Sequence, residues 1–196
     1  MRTLTAALAA IGFGLVVPPR LGAQWEASAQ VGYARFGGTS RDSGGATLGP
    51  YRPTTVELRL ARAGRTLRAG LGVTHANTGL AAEGAGIAVV QEDVGSLWEI
   101  APEVSVCVLR FGAGVSAWLG AGPAFDFWDL DGEQRNRVGA RAGVVVEWPL
   151  ARSLASSLRI GGAWSRSIFD PGDVPAGVER VTTRRFDVGL GLRYRL

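Results

Sequence analysis

From Trp25 to the C-terminus the chain repeats one theme, runs of ten or so residues in which apolar side chains alternate with polar ones or glycine. A period of two sends successive side chains to opposite faces of an extended strand, so each run predicts a strand with two unlike faces. Eight segments carry the pattern: residues 25–37, 54–62, 66–75, 97–110, 115–128, 137–148, 154–169 and 186–196. The last is the most regular, with Phe186, Val188, Leu190, Leu192, Tyr194 and Leu196 opposite Arg185, Asp187, Gly189, Gly191, Arg193 and Arg195. In the fourth, Pro102 predicts a bulge or a weakly paired position, because proline has no N–H to give to a ladder.

The connections alternate in length. Residues 63–65, 111–114 and 149–153 are short; 38–53, 76–96 and 170–184 are long; 129–136 is intermediate. In an up-and-down meander this gathers the tight turns at one end and the long loops at the other. The stretch 80–91 is apolar enough, through Ile87, Val89 and Val90, to extend the third and fourth strands, but is read here as loop. Eight strands can close into a barrel, which removes every exposed sheet edge.

Arginine placement indicates which face points outward. Arginines in the apolar register (Arg35, Arg52, Arg62, Arg110, Arg166 and Arg184) all sit at strand ends, whereas Arg59, Arg68, Arg141 and Arg159, in strand middles, fall on the polar face. A bilayer enforces this partition, because a lipid-facing arginine costs about 2–4 kcal/mol at the midplane and roughly 0–1 near the interfaces. Volume agrees: the apolar face carries too many large side chains for the narrow interior of eight strands, while the polar face is built of Gly, Ser and a few charges. The expected interior therefore holds Glu57, Arg59, Arg68, Glu99, Glu103, Arg141, Glu147, Arg159, Asp187 and Arg193, paired as a salt-bridge network that leaves no wide pore, since buried charges persist only when paired. The aromatic residues group near strand ends, Trp25, Phe111, Trp148 and Tyr194 toward the tight turns and Trp98, Phe125, Phe127, Trp164 and Phe186 toward the long loops, as interfacial girdles do.

Composition narrows the class further. With 46% apolar and 19% charged residues the chain has ample material to bury, which excludes a disordered segment. All 21 cations are arginine, and acids and arginines are mixed along the length, so no basic patch for nucleic acid is expected. The single Cys107 excludes an internal disulfide and a multi-cysteine zinc site, and it lies far from any position where a lipid anchor would attach. At the N-terminus, Arg2, the apolar run 4–17 and the small Ala23 have the order of a secretory signal peptide, expected to span residues 1–23 and to be cleaved. Its removal takes Arg2 and Arg20 and lowers the net charge from +4 to +2.

The leader, the eight alternating segments, the alternating connections and the terminal run 186–196 resemble the small OmpA/OmpX-type outer-membrane β-barrels. The resemblance spans residues 25–196 and is one of pattern. It implies an all-β, eight-stranded antiparallel up-and-down transmembrane barrel over residues 24–196, residence in the outer membrane among its lipid and lipopolysaccharide, and a monomeric, non-enzymatic structural, adhesion or interaction role without a cofactor. It also implies that Leu192, Tyr194 and Leu196 form the strand end read by the outer-membrane assembly machinery; this chain ends in leucine where that family ends in an aromatic residue.

Two rival readings remain at this level. A secreted lipocalin-like barrel would turn the apolar face inward around an apolar ligand. A lipid-modifying barrel enzyme would use His75, the only histidine, but it lies in the apolar register with no serine close behind it. The pairs Gly70/Gly72, Gly120/Gly122 and Gly189/Gly191 open no helix and read as inward positions that relieve crowding rather than as a dinucleotide motif. Asp129, Asp131 and Glu133, and separately Asp170 and Asp173, lack a complete calcium-loop spacing and read as solvated loop charges.

Overall fold

A computed structural model describes residues 24–37, 40–41, 47–51, 53–84, 87–170, 172 and 179–196. The expected leader, residues 1–23, lies outside the described residues, as do Arg52 and Asp173. Eight long strands form the wall: β1 (Gln24–Phe36), β2 (Thr54–Ala63), β3 (Leu67–Gly84), β4 (Ile87–Arg110), β5 (Ser116–Leu130), β6 (Glu133–Pro149), β7 (Leu154–Ser165) and β8 (Thr183–Arg195). Each pairs antiparallel with its sequence neighbours, and β1 pairs with β8, from Glu26↔Arg195 to Phe36↔Arg185, so the sheet is closed. The fold is an all-β antiparallel barrel of eight strands, and the only helical element among the described residues is a single turn at Gly112–Gly114.

The parity of the sequence becomes the parity of the wall. Val31, Leu58, Val138 and Leu190 lie outside, each about 60% exposed, while Glu99, Arg159 and Arg141 are fully buried inside. Among the described residues the interior along the strands is lined by charge and the aliphatic face points outward, the reverse of what a lipocalin-like barrel requires. Residues 64–66, 111–115 and 150–153 turn tightly at the end that also holds Gln24 and Leu196.

The long-loop end departs from the sequence reading in three places. Residues 80–84 and 87–91 are strand where loop was expected: after an irregularity between Thr78 and Leu80 the β3–β4 ladder resumes at Leu80↔Gln91 and runs to Gly84↔Ile87. Alternation is absent there because Leu80-Ala81-Ala82 and Ile87-Ala88-Val89-Val90 place small or aliphatic residues at both parities, while backbone pairing continues. The connection between β5 and β6 is a two-residue turn at Asp131 and Gly132, both with positive φ (54° and 82°), the conformation that an Asp-Gly hairpin turn supplies. Finally, β7 ends at Ser165 rather than at Phe169, and residues 167–169 turn inward over the mouth. A short strand, Thr47–Tyr51, also pairs with Gly79–Glu83 of β3, and the pairs Ser40–Arg41 and Glu179–Arg180 carry the sheet onward, tying together what the sequence presents as separate loops. Pro102 still pairs with Leu71 of β3, but the β4–β5 ladder is interrupted between Ile100↔Phe125 and Val104↔Ala121, where Pro102 and Pro123 both lack an N–H.

Candidate functional site

The inward face supplies the charge-bearing site. Nearest the tight turns, four side chains from four strands close a ring. Arg68 on β3 meets Glu147 on β6 through two parallel bonds of 2.9 and 3.1 Å and Glu26 on β1 at 3.0 Å, and Arg193 on β8 meets Glu26 at 2.6 Å and Glu147 at 3.2 Å. The Arg68 guanidinium also stacks over the Trp118 ring, 4.2 Å from its centroid. Below this ring the lumen widens into an open vestibule of about 410 Å³, bordered by Arg65, Arg110 and Arg195.

Further in, the pairs form a continuous chain. Glu103 accepts bonds from Arg59 and, at 2.6 Å, from Arg159; Glu57 accepts from Arg59 at 2.7 Å and Arg141 at 3.2 Å; Glu99 accepts from Arg141 and Arg185, each at 2.8 Å. Arg185 lies 3.6 Å from Asp187. All ten charged residues that the alternation assigns to the interior lie in these pairs, and each side chain in the network is at most 14% exposed. Six arginines face six carboxylates, so the network is balanced. Two of its members, Glu26 and Arg185, and a further inward residue, the acid Asp126, share the same parity but are absent from the set expected from the sequence. Asp126 lies directly across from Glu99 in the β4–β5 ladder.

Glycine makes room for these long side chains. A Cβ at position 72 would stand 2.7 Å from Oε1 of Glu57, and one at position 120 would stand 2.6 Å from Oε1 of Glu103. A side chain at either position would push the carboxylate from its place among the arginines, so the small residues at the inward parity leave room for the network.

Toward the long loops the chemistry changes. Ala76, Leu97, Trp128, Leu130, Ile168 and Phe169 are buried together, with Phe36, Leu48 and Leu80 packed against them. Two arginines of β6 hold the inturned segment: Arg137 donates to the Ser167 carbonyl (2.6 Å), the Ile168 carbonyl (3.1 Å) and Asp170 (2.8 Å), and Arg135 donates to the Ile168 carbonyl (3.3 Å). The lumen is thus polar and paired along most of its length and capped by an apolar cluster. The available sequence signal for the cap was a break in alternation, since Leu97, Trp128 and Leu130 are large apolar residues in the inward parity.

Other candidates take ordinary structural places. His75 lies outside, stacked on Trp98 with ring centroids 4.3 Å apart, and its Nδ1 has no hydrogen-bond partner among the described residues, so no serine or carboxylate assembles with it. Asp129 accepts the Gly132 N–H in the hairpin turn, and Glu133 pairs with Arg135. On the outer face, Trp98, Phe125, Phe127, Trp164 and Phe186 lie toward the long loops, and Trp25, Trp148 and Tyr194 toward the tight turns. Leu192, Tyr194 and Leu196 are exposed along the end of β8, and the Leu196 N–H bonds to the Trp25 carbonyl at 2.9 Å.

No protein-family model and no curated protein sequence matches the chain. Solved structures do. Neisserial surface protein A aligns over 89% of this chain and 99% of its own, with 15% identity and a TM-score of 0.60. The outer membrane protein OprG from Pseudomonas aeruginosa aligns over 89% and 96%, with 9% identity and a TM-score of 0.56. At such low identity the likeness is one of fold, and in fold this chain is a small eight-stranded β-barrel of the outer-membrane type.

Proposed function

We propose that the chain is an integral outer-membrane protein whose barrel is a closed, non-conducting anchor, without enzymatic activity, and whose working surface is the sheet that rises beyond the long-loop end. The single observation that carries this reading is the inversion of the wall, with aliphatic side chains outside and a balanced ion-pair network inside. In water, that outer face would be a contiguous apolar patch far larger than soluble monomers tolerate. In a bilayer, it is the face that lipid requires. The lengths of β3 (18 residues) and β4 (24 residues) support the second half of the proposal, because a tilted crossing needs only about 9–11 residues and the remainder extends past the membrane. There the continuing ladder, Thr47–Tyr51 and the paired ends of neighbouring loops make a structured surface suited to a structural, adhesion or interaction role. The strand end Leu192, Tyr194 and Leu196 is the segment offered to the assembly machinery, after export by the leader and its cleavage, and the barrel acts as a monomer.

The test is direct. Membrane-fraction protein should run with different mobility on an SDS gel before and after boiling, because a closed barrel keeps its hydrogen-bonded wall in cold detergent. In a planar bilayer it should be electrically silent. Release from membranes by buffer without detergent, with no heat-dependent shift, would overturn the membrane reading; steady conductance in an intact barrel would overturn the closed lumen.

A further inference from the structure

The outward arginines are not spread evenly around the long-loop end. Arg166, Arg184 and Arg35 lie on or just beyond the ends of β7, β8 and β1, which are consecutive in the wall. At the same height, the far side, on β3, β4 and β5, presents His75, Trp98, Phe125 and Phe127. In the ladder, Arg35 stands across from Phe186 and Arg184 across from Trp164. Arg35 and Arg184 line one open concavity of about 440 Å³ together with Tyr51, Trp164 and Phe186, and no carboxylate borders it among the described residues. Neither side chain makes an ion pair or a side-chain hydrogen bond among the described residues, in contrast to the arginines of the lumen, each of which is ion-paired.

At the membrane boundary an exposed guanidinium is tolerated at little cost and gains when an anionic headgroup pairs with it, and the described part of the wall offers no such partner. Its planar fork matches phosphate oxygens in a two-bond arrangement. Aromatic rings beside the two forks supply flat faces for a sugar ring or the start of an acyl chain. The end of the barrel opposite both termini faces the outer leaflet if the chain is an outer-membrane protein. Resting on that reading, the geometry points to Arg35 and Arg184, with Trp164, Phe186 and Tyr51, as a binding site for the phosphorylated headgroup of an acylated saccharide lipid of the outer leaflet. The barrel would then be held in one rotational orientation toward ordered glycolipid, with β7, β8 and β1 as its lipid-recognising side.

The experiment uses the mature chain reconstituted in nanodiscs, titrated with diphosphorylated lipid A, with its dephosphorylated counterpart, and with phosphatidylglycerol at matched charge. Native mass spectrometry reads the bound lipid. The phosphorylated glycolipid should bind at least tenfold more tightly than either of the others. The Arg35→Ala/Arg184→Ala double variant should lose roughly thirtyfold, since each arginine at a membrane surface contributes on the order of fivefold. Arg62→Ala, an outward arginine at the opposite end, should change binding less than twofold. Equal affinity for the three lipids, or an unchanged double variant, would overturn the site. Should the double variant fail to fold, the comparison of lipids on the unaltered protein still decides. A chain that shows no heat-dependent gel shift before lipid is added fails as a membrane barrel, whereas a shifting barrel that does not discriminate fails only as a glycolipid binder.

Discussion

At the tight-turn end the lumen is crossed by a ring of four paired charges, Glu26, Arg68, Glu147 and Arg193; at the long-loop end it is covered by Leu97, Trp128, Leu130, Ile168 and Phe169. Both arrangements fill the lumen, by different means. The ring and the pairs beyond it are built wholly from strand residues, so closure of the wall is enough to bring the partners together. The apolar cap depends on residues 167–169, which belong to no strand and are held inward by carbonyl bonds from Arg135 and Arg137. Charges aligned by a rigid wall therefore provide the interior, and a folded-back loop segment supplies the seal.

The comparison can be broken most severely at Arg141, which bonds to Glu57 and Glu99 together. Removing one member of a buried pair leaves an uncompensated charge and costs about 3–5 kcal/mol. Arg141→Met should therefore lower the temperature of the gel-shift transition sharply, and adding Glu57→Gln should recover part of the loss; full additivity in that double-mutant cycle would sever the proposed coupling. Phe169→Ala should cost somewhat less, about 3 kcal/mol, because it truncates a large side chain at the mouth of the lumen. Its sharper signature is permeability, with brief conductance events in a planar bilayer that Arg141→Met lacks. Silence of the Phe169 variant would mean that the ion pairs, not the cap, seal the barrel. Gly120→Ala should have the smallest effect, about 1–3 kcal/mol, from crowding the Glu103 carboxylate while it stays paired with Arg59 and Arg159. A urea titration of the folded fraction in lipid would measure it, and a neutral result would show that the lumen has slack.

The wall was legible because it follows from parity. Leu58 and Leu190 had to lie opposite Glu57 and Gly189, and once Arg59, Arg68, Arg141 and Arg159 shared a parity in strand middles, the inside and the outside were assigned. The long-loop end was not legible in the same way. Leu80-Ala81-Ala82 and Ile87-Ala88-Val89-Val90 carry small or aliphatic residues at both parities, so no alternation marks them, although the backbone ladder runs on to Gly84↔Ile87. Parity speaks of side-chain faces, and hydrogen-bonded pairing can outlast it. Ile168 and Phe169 read as the end of a strand because they are apolar; their turn into the mouth depends on Arg135 and Arg137, contributed by another strand some thirty residues earlier.

The strand periodicity, the direction of each face and ten of the interior charges were readable in the amino-acid sequence, because each is a local consequence of alternate side chains pointing to opposite sides of one strand. The tertiary structure decided which charges pair, how the loops join into a sheet and that an apolar segment covers the mouth. Those outcomes depend on the distances that barrel closure sets between residues far apart in the chain, such as Arg68 and Glu147 or Arg193 and Glu26, and no local pattern encodes those distances.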